Sequence, residues 1–273
     1  MPLKLLVIDA YSAKARVGLV ASGATHAGEL LARSVRLHQP DAQIKVVDFD
    51  TAPSDLVGRL RDYDGVLWTG SNMTIHRRNP LIDAQVDFAG AVFDDGTPQF
   101  GICWGLQLAT VAAGGDVQPN PNGREIAWAR DVQVNENGKA HPFMTGRSAP
   151  FDALCWHSDA VVELPVSATL LASNENSMVQ AAILRRGKGE FWATQYHVEY
   201  DGHEVATLVD TYRDFLVKDG VMASEADVDA LITDMHTIKE FESSEDAAPT
   251  HLVPVVDPMV RTTELGNWLR HLS

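Results

Sequence analysis

A cysteine stands between an apolar run and a stretch with helical spacing, and a glycine lies two residues away on each side. These three residues are Gly101, Cys103 and Gly105. A sharp turn from a strand into a helix lifts a side chain above the sheet edge, and small neighbours prevent clashes with adjacent strands. The helix dipole and free N–H groups at such a turn favour a thiolate. The pattern predicts a nucleophile at Cys103, with the Trp104 N–H as an oxyanion donor.

A thiol nucleophile needs a base that a third group orients, and His197 and Glu199 supply both types of group. On an extended chain, side chains two residues apart point to the same face, so the carboxylate can hold Nδ1 while Nε2 faces the thiol. Taken alone, the pair is more typical of a surface histidine beside a carboxylate, and a lone Cys103 is more typical of a buried structural thiol. Together, the two patterns favour a catalytic triad.

The order and separation of these motifs resemble those of class I glutamine amidotransferases, and the resemblance covers roughly residues 3–217. The family's elbow, Gly-x-Cys-x-Gly with a Gln two residues on, matches Gly101, Cys103, Gly105 and Gln107. Its His-Pro-Glu motif matches residues 197–199, with Val198 in place of the usual proline. That replacement keeps both reacting groups.

The resemblance implies further site residues. The family's oxyanion loop, Ser-Gly-Gly-Pro after the third strand, matches residues 69–72. The match implies that the Ser71 N–H is the second oxyanion donor and that Gly70 belongs to the substrate site. A His-Gly-Asp element of the glutamine pocket in the GMP-synthase branch matches a His-Ser-Asp stretch that ends at Asp159. This implies that Asp159 receives the α-ammonium group of the substrate, with Gln107 in the same pocket.

The chemistry that the resemblance implies is amide hydrolysis through a thioester. The thiolate attacks a γ-glutamyl carbonyl, two backbone N–H groups hold the oxyanion, and His197 donates a proton to the leaving ammonia or amine. Water then releases glutamate. The expected substrate is a small molecule, either glutamine or another γ-glutamyl compound, and no metal or cofactor is required.

Three functions remain open at this stage. The first is a glutaminase that hands ammonia to a separate synthase subunit, because the 273 residues carry no synthase domain. The second is a stand-alone γ-glutamyl hydrolase or peptidase that cleaves a γ-glutamyl amine or peptide. The third is a catalytically silent binding module, which the intact triad residues disfavour.

Other groups of reactive residues carry weaker hypotheses. Cys155 has no flanking glycines and no following helix, so a buried structural thiol is expected there. The ligand types at residues 197–203 are those of a metal site, but the first two suit the triad better, and Asp201 is expected to cap a helix. The basic loop at residues 71–80 either steers a carboxylate, contacts a partner or is solvated.

The elements that must position these residues alternate between strand and helix in the first half. Runs of the kind that buried parallel strands show lie at residues 3–8, 43–49, 65–69 and 98–102. Helical spacing occurs at residues 26–37, 81–93 and 104–113. The rhythm predicts an α/β fold with an open, mostly parallel sheet and helices on both faces, and the resemblance implies a flavodoxin-like arrangement.

The second half predicts antiparallel additions to this sheet, because shorter β-type runs follow one another from about residue 116. Helical spacing returns at residues 204–217, which are expected to close a domain of residues 1–217. Residues 218–273 are expected to form a helical extension, with an acidic linker at residues 240–246.

Composition excludes several classes of function. The 22 Lys and Arg residues against 37 Asp and Glu residues give a net charge of −15, which disfavours a nucleic-acid binder. Two cysteines cannot build a disulfide framework. No run approaches the roughly 18 apolar residues of a membrane helix, and the first residues lack the features of a signal peptide. A cytoplasmic protein without membrane association is expected; self-association is not predictable from these features.

Overall fold

The computed structural model describes residues 1–52, 55–244 and 247–273. The strands are β1 (Lys4–Asp9), β2 (Gln43–Asp48), β3 (Gly65–Trp68), β4 (Gln99–Ile102), β5 (Asp116–Pro119), β6 (Glu125–Val134), β7 (Phe151–His157), β8 (Asp159–Glu163), β9 (Thr169–Ser173), β10 (Ala181–Arg186) and β11 (Gly189–Thr194). The helices are α1 (Ala13–Ala21), α2 (Ala27–His38), α3 (Pro80–Asp95), α4 (Trp104–Ala112), α5 (Glu136–Ala140), α6 (Gly202–Thr211), α7 (Arg213–Lys218), α8 (Glu225–Ser243), α9 (Val253–Val256), α10 (Pro258–Arg261) and α11 (Thr263–His271). Within those ranges, no helix combines enough length with enough apolar character to cross a bilayer.

Nine strands form one sheet in the order β2-β1-β3-β4-β11-β10-β9-β6-β7. Pairing is parallel from β2 to β11 and antiparallel from β11 to β7. A separate two-stranded sheet pairs β5 with β8. Parallel neighbours need crossover connections, and α2 and α3 lie in two of them. The predicted parallel sheet with antiparallel additions is therefore confirmed.

Both faces of the sheet are covered, and β1 shows how. Leu5 and Val7 pack in an apolar cluster with residues of α2 and α11, whereas Leu6 and Ile8 pack in a second cluster with residues of α3 and α4. Successive side chains of a strand point to opposite faces, so burial on both sides gives a continuous apolar run. This confirms the expected α/β fold with helices on both faces.

The C-terminal helices pack against the rest of the chain. Helix α8 contributes apolar residues to a third cluster that it shares with α6, and the Trp268 ring of α11 lies 5.6 Å from the Phe100 ring of β4. The expected helical C-terminal extension is confirmed by α8 to α11. The acidic stretch that was expected to be a linker instead begins inside α8; residues 245 and 246 of that stretch lie outside the described residues. The expected helix at residues 204–217 is divided into α6 and α7 at Tyr212. The domain boundary at residue 217 stays a prediction.

A buried ion pair fixes the last helix to the sheet edge. Arg147 donates from Nε to Glu264 Oε1 at 2.7 Å, and the two side chains are 2% and 0% exposed. The Tyr196 hydroxyl donates to the same carboxylate oxygen at 2.8 Å. Since Tyr196 directly precedes His197, the C-terminal helix is bonded to the segment that carries the expected base.

We predict that Glu264→Gln lowers the free energy of unfolding by about 3–5 kcal/mol, because it leaves the Arg147 guanidinium buried without its counter-charge. Urea unfolding of the purified variant measures the change. The matched control is Glu136→Gln, which removes an exposed carboxylate 2.6 Å from Lys139 Nζ and should have no measurable effect. Equal shifts in the two variants would show that the buried pair does not stabilise the fold.

Candidate active site

Cys103 lies at the predicted turn between β4 and α4. Its backbone has a φ of 52°, a left-handed conformation that costs a non-glycine residue about 1–3 kcal/mol. The Cys103 N–H donates to the Thr194 carbonyl at the end of β11 at 2.7 Å. The thiol donates to the Trp156 carbonyl, with Sγ 3.6 Å from the oxygen. The surrounding backbone thus holds a strained turn with its cysteine at the sheet edge.

Close packing explains the glycine before this turn. A Cβ on Gly101 would lie 2.6 Å from Cε1 of the Phe191 ring and 2.9 Å from Cα of Gly105. Such contacts are too short for real side chains, so position 101 admits only glycine without displacement of its neighbours. The small flanking residues that the sequence shows therefore have the steric role expected of them.

His197 and Glu199 follow β11, the parallel neighbour of β4, so both groups reach the same sheet edge as Cys103. His197 Nδ1 lies 2.7 Å from Glu199 Oε1, and the two side chains are 2% and 5% exposed. The His197 N–H donates to the Leu154 carbonyl at 2.8 Å, which fixes the backbone. The expected geometry of an imidazole held by a carboxylate is present.

The charge state of His197 depends on two neighbours. Burial disfavours the imidazolium, but the charges of Glu199 and Cys103 outweigh it and raise the pKa of His197 to about 10. Apart from its interaction with Cys103, Nε2 has no partner in the described part of the chain. At neutral pH, the arrangement therefore favours a protonated imidazole between a carboxylate and the sulfur.

The loop after β3 lies against this histidine. A Cβ on Gly70 would lie 2.8 Å from Cε1 of His197, so the glycine lets the loop approach the imidazole. Ser71 opens onto the cleft beside it, and its hydroxyl donates to the Ala10 carbonyl at 3.3 Å. Ser71 does not have a positive φ, so a serine fits where the family motif has glycine. Trp104 is the first residue of α4, where N–H groups lack carbonyl partners within the helix.

A cleft of about 510 Å³ opens over these residues, a volume within the range of small-molecule sites. Five of the residues expected in the site line it: Ser71, Cys103, Gln107, Asp159 and His197. The other three, Gly70, Trp104 and Glu199, lie next to lining residues in the chain. The fold thus brings all the expected site residues to one place.

Asp159 lies at a charged end of the cleft. Burial raises the pKa of this carboxyl, while the charges of His76 and Arg124 oppose the rise. His76 Nδ1 lies 3.5 Å from Asp159 Oδ2, and Gln107 donates from Nε2 to the Asp159 carbonyl at 3.1 Å. His76 belongs to the basic loop whose role the sequence left open, and the fold places it at the lining of the cleft.

The second cysteine is buried, as expected. Cys155 is fully enclosed, and burial raises the pKa of its thiol well above the usual value. Nearby, His157 Nε2 lies 2.8 Å from Glu125 Oε2, and Gln180 donates to the same oxygen at 2.7 Å. This polar network supports β6 and β7 from within.

Within residues 1–52, 55–244 and 247–273, two groups have side-chain types that could bind a metal ion, with ligand atoms within 4.8 Å of one another: Glu125, Cys155 and His157, and Asp9, His26 and Asp48. In the first group, His157 and Gln180 already bond to the Glu125 carboxylate, and in the second, His26 Nε2 lies 3.1 Å from Asp48 Oδ1. Asp201 caps α6 as expected, with Oδ1 accepting from the Glu204 N–H at 2.9 Å. Its other oxygen accepts from Lys239 Nζ at 2.7 Å.

Two tyrosines in the site were missed by the sequence analysis. The Tyr200 ring stacks on the His197 imidazole, with centroids 3.8 Å apart and planes 9° from parallel. Tyr11, at the end of β1, bonds through its hydroxyl to that of Tyr200. Tyr200 directly follows Glu199 in the sequence, so its place in the site could have been predicted. Tyr11 is far from the triad residues in the sequence, and only the order of the strands brings it to the site.

Comparisons with known proteins agree with this geometry. The family model for glutamine amidotransferase class-I matches residues 26–210. A γ-glutamyl-L-1-hydroxyisopropylamide hydrolase from a Pseudomonas species is 37% identical over 221 residues, which cover 78% of this chain and 74% of the relative. A GMP synthase from Caldicellulosiruptor saccharolyticus is 29% identical over 181 residues, which cover 63% of this chain but only 30% of that protein.

Solved structures share the fold. A glutamine amidotransferase from Thermotoga maritima superposes with a TM-score of 0.65 at 16% identity, over 100% of this chain and 98% of that one. A glutamine amidotransferase from Methylobacillus flagellatus gives a TM-score of 0.58 at 20% identity, over 100% and 93% of the two chains. Family match and fold lead to one conclusion: the chain belongs to the class I glutamine amidotransferase family and is one of its enzymes.

Proposed function

We propose that this chain hydrolyses the amide bond of a γ-glutamyl amide through a thioester on Cys103. The observation that supports this most strongly is the arrangement at the sheet edge, where a cysteine in a left-handed turn faces an imidazole that Glu199 holds at 2.7 Å. Acyl transfer by a thiol requires a neighbouring base that is held in the correct orientation, and both groups are present here.

In the proposed reaction, the Cys103 thiolate attacks the γ-carbonyl carbon, and the negative charge moves to the carbonyl oxygen. The N–H groups of Ser71 and Trp104 stabilise that oxyanion. His197 then gives its proton from Nε2 to the leaving nitrogen, and the C–N bond breaks. Water attacks the thioester with His197 as base, so the C–S bond breaks and glutamate leaves.

The charged end of the cleft suits the α-amino acid head of the substrate. We propose that the Asp159 carboxylate binds the α-ammonium group and that Gln107, bonded to the Asp159 carbonyl, shapes the pocket beside it. His76, Arg77 and Arg124 lie close enough to influence the charge of Asp159, and they suit the α-carboxylate of the same head.

The identity of the leaving group separates two candidate functions. The Pseudomonas relative, a hydrolase by name that acts on a γ-glutamyl amide of an amino alcohol, aligns over 74% of its length and supports an amine leaving group. The GMP synthase relative supports the second candidate, a glutaminase that supplies ammonia to a separate synthase, but its alignment spans only 30% of that protein. We therefore favour a hydrolase that acts without a partner.

We predict that the isolated protein releases glutamate from γ-glutamyl amides and that Cys103→Ala lowers kcat by at least about 10³-fold, because the nucleophile is lost. A coupled glutamate assay on glutamine and a panel of γ-glutamyl amides measures this. The control is Cys155→Ala, which removes the buried thiol and should keep most of the activity of any folded protein. Activity that survives Cys103→Ala would overturn the assignment, and weak turnover of glutamine alone would favour the partner-dependent glutaminase.

The second prediction concerns pH. With its pKa raised to about 10, His197 stays protonated through neutral pH, so kcat/KM should fall only as the pH rises through about 10. Glu199→Gln removes a charge that raises this pKa, so the alkaline limb should move to lower pH and kcat should drop about 10²–10⁴-fold. Glu136→Gln serves as the control. An alkaline limb that stays in place in Glu199→Gln would contradict the proposed role of the carboxylate.

The third prediction concerns substrate binding. Asp159→Asn removes the charge that faces the α-ammonium group, and a charged hydrogen bond contributes about 1.5–3 kcal/mol, so KM should rise roughly 10–100-fold with a smaller change in kcat. Asp41→Asn, at an exposed residue before β2, is the matched control. If KM were unchanged for every γ-glutamyl substrate, Asp159 would not be the residue that binds the α-ammonium group.

A further inference from the structure

We propose that Tyr11, Tyr200 and Tyr212 form the subsite for the amine half of the substrate, and that this subsite favours a neutral amine with an apolar body over ammonia and over an amine that carries a carboxylate. The inference rests on the proposed function, because it concerns the leaving group of that reaction. All three tyrosines line the cleft.

Proton transfer fixes where the amine must lie. His197 protonates the leaving nitrogen, so the amine half lies next to the imidazole. Tyr200 stacks on that imidazole at 3.8 Å, and the Tyr11 hydroxyl bonds to the Tyr200 hydroxyl. Burial raises the pKa of Tyr11, and the nearby charge of Cys103 raises it further, which places the phenol within electrostatic reach of the sulfur.

The backbone of Tyr11 is held on both sides. Its N–H donates to Asp9 Oδ1 at 3.0 Å, and its carbonyl accepts from Nη1 of Arg16. The Arg16 side chain is 8% exposed and is itself fixed by Asp50 Oδ1, 2.6 Å from Nη2. The Tyr11 ring is therefore carried by an ordered backbone, and a preorganised side chain loses little conformational entropy when a ligand binds.

Tyr212 contributes a third aromatic ring to the lining of the cleft. It lies between α6 and α7, and its ring lies 5.6 Å from that of Trp156. The Trp156 carbonyl accepts the Cys103 thiol, so this ring pair also adjoins the nucleophile. Leu208, on the preceding turn of α6, adds an aliphatic surface to the same cleft.

Two basic side chains of the cleft already have partners. His76 is 3.5 Å from Asp159, and Arg124 bonds both to Ser158 and, at 3.0 Å, to Asp219. Besides the reacting Cys103 and His197, we place five side chains around the amine. They are those of Tyr11, Trp156, Tyr200, Leu208 and Tyr212. Arg124 lies 4.5 Å over the Phe215 ring and is already paired with Asp219. A carboxylate on the amine would therefore lose its water there and compete with Asp219 for this cation, whereas an apolar body would be buried favourably.

Two isosteric substrates test the subsite directly on the full chain. γ-Glutamylisobutylamide and γ-glutamylglycine differ in whether the amine ends in two methyl groups or in a carboxylate, and glutamine has no amine body. We expect kcat/KM for the isobutylamide to exceed that for each of the others by about tenfold or more. Equal or faster cleavage of γ-glutamylglycine would overturn the inference and leave the proposed hydrolysis intact.

Glutamine as the best substrate would also overturn the inference, and would favour ammonia release. Cleavage of none of the three in a Cys103-dependent manner would overturn the proposed function itself. A variant adds a second readout: Tyr212→Ala should lower the ratio of kcat/KM for the isobutylamide to that for glutamine about tenfold. Tyr63→Ala, at a tyrosine outside the cleft, should leave the ratio unchanged. If Tyr212→Ala fails to fold, the comparison of substrates on the unaltered protein still decides.

Discussion

Parallel pairing of β4 with β11 is the constraint on which the rest of the site depends. The pairing places Ile102 beside Thr194, so the strands end at the same edge and the chain continues into Cys103 on one side and towards His197 on the other. The 2.7 Å hydrogen bond from the Cys103 N–H to the Thr194 carbonyl extends this pairing into the turn itself. A backbone with a φ of 52° persists because such neighbours hold it.

The C-terminal helix α11 supports the segment that follows β11 and carries His197. Glu264 of α11 binds the Arg147 guanidinium and accepts from the hydroxyl of Tyr196, the residue before His197. Trp268 of the same helix packs beside Phe100 of β4, the strand that leads to the cysteine. The C-terminal helix thus contacts both β4 and the segment that leads from β11 to His197.

The sequence predicts most of the fold and the centre of the site, because each depends on local signals. Continuous apolar runs identified the parallel strands, and the glycines around Cys103 identified the turn. Other features depend on contacts between distant segments and left no local pattern: Tyr11 reaches Tyr200 only because β1 and β11 belong to one sheet, with β3 and β4 between them. The expected linker was wrong for residues 240–243, which belong to α8, because exposed acidic residues obscured a sparse apolar face whose buried part is Val228, Met235 and Ile238.

Covalent catalysis by Cys103 can be tested by mass spectrometry of the acid-quenched reaction. During turnover of a γ-glutamyl amide, we expect the intact protein to gain the mass of one γ-glutamyl group. Peptide mapping should locate the group on Cys103, and hydroxylamine should remove it, as is typical of a thioester. A γ-glutamyl group mapped to another residue, or steady turnover by Cys103→Ala, would disprove covalent catalysis by this cysteine.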